Sequence, residues 1–185
     1  MKSNIIEAVR QRLQYPPLHK VDPNTQDIAG KEEESGIALL AQAAIPAVLA
    51  AIYKLSGTTE GAGLVWKTDP SDDVLALLFN NREKEVIDRI AGYSGVSVNQ
   101  AGSHLETIAD AALAELRIQA GHESGPEKLA DILQHQRHEL LVRLPAAIRL
   151  GEILNDTSLD DKTNKMEGPV SGFIHKMEDR FSGKD

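Results

Sequence analysis

Apolar residues recur along this chain at helical spacing, and no stretch alternates as a strand would. The clearest stripe follows Ser97. Val98, Ala101, Leu105, Ile108, Ala109, Ala112, Leu113 and Leu116 keep one face over more than four turns. Ser97 with Gln100 three residues on reads as a capping box, and Gly121 as the stop. A shorter helix precedes it, from about Arg82 to Tyr93, with Val86, Ile87 and Ile90 inward and Gly95 as the turn. Pro126 opens a later helix whose inner stripe is Leu129, Ile132, Leu133, Leu140 and Leu141. Pro145 breaks it, and a short helix through Ile148, Ile153 and Leu154 follows.

The N-terminal half is punctuated by proline and glycine. Ser3 is placed as N-cap of a first helix that ends before Pro16-Pro17, and residues 16–30 read as an exposed connection. A second helix is expected to gather from Glu32-Glu33-Glu34, run to about Leu55 and kink at Pro46. Its stretch from Ile37 to Tyr53 carries no charge. Ala makes it only weakly apolar, so it reads as a buried core helix and not a membrane span. Residues 57–68 read as a loop, and Asp69-Pro70 as the start of a third helix filled by Val74, Leu75, Leu77, Leu78 and Phe79. Residues 155–168 read as a polar linker. A final amphipathic segment places Val170, Phe173, Ile174, Met177 and Phe181 on one face.

The pattern predicts an all-α protein: a compact helical bundle of about six to eight helices with short turns. The organisation is a helix and connection over 1–30, a bundle core over 31–154, and a linker with an amphipathic helix over 155–185. Composition agrees. One Trp, three Tyr and three Phe leave Ala, Leu, Ile and Val to build the core, and Ala and Leu are the strongest helix formers.

Charge and cysteine content narrow the chemistry. A formal net charge of −8 argues against gripping a phosphate backbone. With no cysteine there is no disulfide, thiolate nucleophile or thiolate metal site. The N-terminus lacks the apolar core of a secretory signal, so a cytoplasmic protein is expected.

The segment Leu75–Leu116 resembles the YidB-like bacterial family (domain of unknown function 937). The resemblance rests on Leu78-Phe79 at a helix end, on Ser94-Gly95-Val96-Ser97, and on the long helix that follows. IPAVLAAIYKL (45–55) and LPAAI (144–148) extend it to roughly residues 36–154. This chain is more charged than the family pattern, and the segment after Asn155 has no counterpart in it. The resemblance implies a bacterial source and a helical fold, and it brings no activity.

Several features invite a chemical reading. Ala91, Gly95 and Ala101 fit the spacing of a helix-turn-helix across residues 86–105, and Asn99, Gln100, Ser103 and His104 could face bases. From Ile90 to Leu116, however, there is no Lys or Arg, while Glu106, Asp110 and Glu115 would repel a groove. Asp131, His135 and His138 share one face of a helix, but that face points to solvent and would make a weak chelate. Asp72-Asp73 and Asp160-Asp161 are adjacent and diverge on a helix, so neither makes an acid–base pair. Gly61-Ala62-Gly63 lacks the rest of a phosphate loop. Trp66 reads as a packing plug. No catalytic, cofactor-binding or metal residue is therefore assigned. The expected role is non-catalytic, through a protein partner or a homo-oligomer. A DNA-binding regulator and an enzyme with an unrecognised site stand as the alternatives.

Overall fold

The computed structural model describes residues 4–69, 72–121 and 125–165. Among these the chain is all-α, with eight α-helices, four short 3-10 turns and no strand. The helices are α1 (Ile5–Arg12), α2 (Gly36–Leu55), α3 (Thr59–Lys67), α4 (Val74–Leu78), α5 (Glu83–Ser94), α6 (Val98–Ala120), α7 (Glu127–Leu141) and α8 (Leu150–Leu154).

Helix α2 is the hub and packs against α5, α6 and α7. Every residue from Leu39 to Ile52 is buried. Among the described residues it is the one helix long and apolar enough to cross a membrane. Here it is walled in by other helices, as in the core of a soluble protein. Its apolar surface on all sides is thus used by neighbours on all sides. The helix runs through Pro46, which forfeits the backbone bond to the Gln42 carbonyl.

The expected stripe of α6 is buried from Ala101 through Leu116, with Val98 left outside. Its start carries the capping box, with Ser97 Oγ accepting from Gln100 N and Gln100 Oε1 accepting from Ser97 N. Gly95 turns the chain between α5 and α6 at φ 72°, a left-handed conformation that glycine adopts without strain.

Four boundaries differ from the sequence reading. Residues 59–67, expected as loop, form α3. Thr58 caps it by accepting from Gly61 N at 3.1 Å, and Thr68 Oγ1 closes it on the Leu64 carbonyl at 2.8 Å. Gly61 is there for closeness: a Cβ on it would lie 1.9 Å from the Leu55 carbonyl oxygen. The acidic run does not begin α2. Lys31–Glu33 is a 3-10 turn, and Ser35 caps α2 by accepting from Ala38 N at 3.2 Å. Asp73, not Asp69, caps α4, accepting from Ala76 N at 3.0 Å. Asn4 caps α1, its side chain accepting from Ile6 N and Glu7 N. Ser3 and Pro70 lie outside the described residues.

Both arms pack on the bundle where they are described. Ile5, Ile6 and Val9 of α1 are buried, as are Tyr15, Val21 and Ile28 of the connection. The expected linker is instead folded over 157–165 as two 3-10 turns. Buried Leu159 anchors the first, and the Asp160 carboxylate accepts from Gly151 N at 2.9 Å. One Leu makes no periodic stripe, so the sequence pattern gave no sign of this anchor. The apolar face through Val170, Phe173, Ile174, Met177 and Phe181 lies outside the described residues.

Candidate functional site

The helix-turn-helix candidate is built as a core hairpin. Ala91 and Ala101 are buried where α5 and α6 cross. The turn also seats α2: a Cβ on Gly36 would lie 3.1 Å from the Ser94 carbonyl oxygen. Of the four would-be base readers, two are already engaged. Gln100 belongs to the capping box. His104 Nδ1 meets the Tyr15 hydroxyl at 2.6 Å. Asn99 and Ser103 are exposed, but they share the outer face of α6 with exposed Glu106 and Asp110. That surface carries the wrong sign for a phosphate backbone.

Asp131, His135 and His138 are all exposed on the outer side of α7. His135 Nδ1 donates to the Asp131 carbonyl at 2.6 Å, and the Asp131 carboxylate faces Lys128 at 3.7 Å. Among the described residues no group of three His, Asp or Glu side chains is placed to hold a metal.

The acidic pairs are structural. Asp72 accepts from Asp69 N at 2.8 Å, while Asp73 caps α4. Asp160 binds Gly151 N, and Asp161 accepts from Thr163 N at 2.9 Å. Glu34 faces His19 at 3.2 Å. Trp66 is half-buried against the core, as a packing residue should be.

Four polar arrangements escaped the sequence reading because their partners lie far apart in the chain. Gln42, 2% exposed within α2, accepts from His19 N at 2.8 Å and donates to the His19 and Arg143 carbonyls. Arg117 reaches from α6 to the carbonyls of Val65, Trp66 and Thr68, the otherwise orphaned end of α3. Arg82, just before α5, and Arg89 within it donate to backbone carbonyls between Ile148 and Ile153. Both also pair with Glu85, and Arg89 reaches Glu152. Glu85 is held below the usual carboxylate range, chiefly by its hydrogen bond from Arg82.

The fourth is a triad of Asp27, Lys31 and Tyr93. The Tyr93 hydroxyl donates to Asp27 Oδ1 at 2.6 Å, and Lys31 Nζ donates to Asp27 Oδ2 at 2.8 Å. Lys31 Nζ also stands 3.8 Å from the centre of the Tyr93 ring. Burial pushes the Asp27 carboxyl up. Hydrogen bonds from Lys31, Tyr93 and the Ile28 amide outweigh that and hold it below its ordinary value. Burial, then the hydrogen bond to Asp27 and the Asp27 charge, push the Tyr93 hydroxyl well up. Lys165, 2% exposed, is pushed down by burial, with Asp160 and Asp161 opposing.

Gln42, Arg117, Arg82, Arg89 and the Asp27–Tyr93 pair are each spent on a backbone group or on another side chain, which is how a fold is fastened. Comparison with family models, curated proteins and solved structures finds no match.

Proposed function

We propose that this protein is a non-catalytic helical module that works by association, with a second copy or with another protein. The observation that carries this reading is an apolar exposure on two elements that touch. Leu64 on α3 is 53% exposed and Ile118 on α6 is 65% exposed. Arg117, adjacent to Ile118, holds the end of α3 next to Leu64. Large apolar side chains left in water on neighbouring helices are what a protein partner would cover. The polar clusters around Gln42, Arg117, Arg89 and Asp27 support the same reading, because they are occupied in structural bonds.

The likeness to the YidB-like family belongs to this proposal, as do a bacterial source and a cytoplasmic setting. The Ser94–Ser97 turn and the long α6 behind it are consistent with that family's helical pattern. The acidic outer face of α6 weighs against a DNA-binding regulator.

Sedimentation velocity over a concentration series tests the proposal. Species at multiples of 20.1 kDa that revert to monomer in Leu64→Glu and Ile118→Glu support self-association. A monomer at every concentration shifts the reading to a different protein partner. Tight, salt-sensitive binding of duplex DNA would overturn it.

A further inference from the structure

The outer face of α3 carries a pattern that its own fold does not use. Glu60, Gly63, Leu64 and Lys67 fall at positions i, i+3, i+4 and i+7, which is one stripe of a helix. The buried residues of α3, Gly61, Ala62 and Val65, lie on the other side. Glu60, Leu64 and Lys67 are exposed. Gly63 has nothing within 4 Å of the place a Cβ would take.

Every member of this stripe is unspent. Neither the Glu60 carboxylate nor the Lys67 ammonium has an ion-pair or hydrogen-bond partner among the described residues. They are about 10 Å apart along the helix axis, too far to meet each other. Leu64 is 53% exposed between them. Glycine inside a helix is destabilising relative to alanine. Gly61 is required by the Leu55 carbonyl oxygen, but no such neighbour accounts for Gly63. The helix dipole favours an acid in the first turn and a base in the last. It accounts for the two charges and not for the exposed leucine and bare glycine between them.

A second copy of the stripe, laid antiparallel, uses all four residues. A two-fold interface presents the same patch from both sides. With the axis passing between Gly63 and Leu64, Glu60 faces the partner's Lys67, and Leu64 faces the partner's Gly63. Two ion pairs then flank two leucines, each seated where the opposite helix lacks a Cβ. A parallel pairing in register would instead set Glu60 against the partner's Glu60, like charge on like. We propose that α3 is the contact helix of a symmetric homodimer, paired antiparallel about Gly63 and Leu64. The proposal rests on the association reading and names a second copy of this chain as the partner. Ile118, exposed on α6 beside the end of α3, widens the apolar part of the contact. A face one nine-residue helix long is small beside the roughly 800 Å² per partner of a standard interface. The dimer should therefore be weak and concentration-dependent.

The test is sedimentation velocity of the full chain over a concentration series, with charge reversals at the two ends of α3. Glu60→Lys and Lys67→Glu should each weaken the dimer on the order of tenfold, because each turns two attractions into two repulsions. The double variant Glu60→Lys/Lys67→Glu recreates both pairs and should recover the parent's association. Gly63→Gln should weaken the dimer by filling the seat of the partner's Leu64. Its thermal midpoint in dilute solution should stay equal or rise, since nothing inside the fold meets the new side chain, which separates lost pairing from lost folding. Dimers that Leu64→Glu abolishes but that ignore the reversals, or are not restored by the double variant, would overturn the antiparallel α3 pairing and leave the association reading standing. A monomer at every concentration would overturn the homodimer and move that reading to a different protein.

Discussion

The Tyr93 hydroxyl donates to Asp27 at 2.6 Å across 66 positions of chain, fastening the N-terminal connection to the end of α5. The bond lies beside the turn on which α2, α5 and α6 meet. Tyr93→Phe keeps the ring under Lys31 and removes only the hydroxyl. It should destabilise the fold by about 1–2 kcal/mol, because a hydrogen bond to a charged acceptor is lost. Urea unfolding with an unchanged slope would check this.

The same triad sets a pH dependence. Asp27 is held below its ordinary value in the fold. Its contribution is therefore present above the unfolded-state value of about 4 and is lost as pH falls through the folded value. Asp156 behaves likewise, held down first by Ser158 and then by Lys54. Tyr93 is raised, so its contribution is present below about pH 10 and falls away above it. Denaturation midpoints measured from pH 2 to 11 should fall at both ends. Asp27→Asn should flatten the acid limb, and Tyr93→Phe the alkaline one.

Gln42→Leu should be among the most damaging single changes. It leaves His19 N and the His19 and Arg143 carbonyls without their side-chain partner at the bundle interior. A loss of about 2–3 kcal/mol is expected, even though Leu is the more apolar residue. A variant as stable as the parent would show that water replaces the amide.

Two glycines should respond in opposite directions. Gly92 lies within α5 with open space where a Cβ would go, so Gly92→Ala should stabilise by about 0.5–1 kcal/mol. In Gly61→Ala the added Cβ would run into the Leu55 carbonyl oxygen, so α3 must move away from α2. Thermal melts of the two variants should separate to either side of the parent.

Arg117→Met should loosen α3 selectively. It frees the carbonyls of Val65, Trp66 and Thr68 while keeping the aliphatic length of the side chain. Hydrogen exchange should quicken across residues 59–68 and stay unchanged in α2.

The sequence by itself determined the helical class, the burial of α2, and the α5–turn–α6 hairpin with its capping box and its Gly95 turn. These depend on periodicity and on signals a few residues apart, which one strand of text carries in full. It also determined that the outer face of α6 is acidic. The tertiary structure decided the rest. Gly61 permits contact with Leu55 where the text read a loop, because close approach and chain breaking call on the same residue. Leu159 and Asp160 fasten the supposed linker onto α8, and a single apolar residue has no period to detect. Gln42, Arg117 and the Asp27–Tyr93 pair draw on partners 23 to 101 positions away. Such pairings follow from where the chain returns in space, and local pattern does not encode that return.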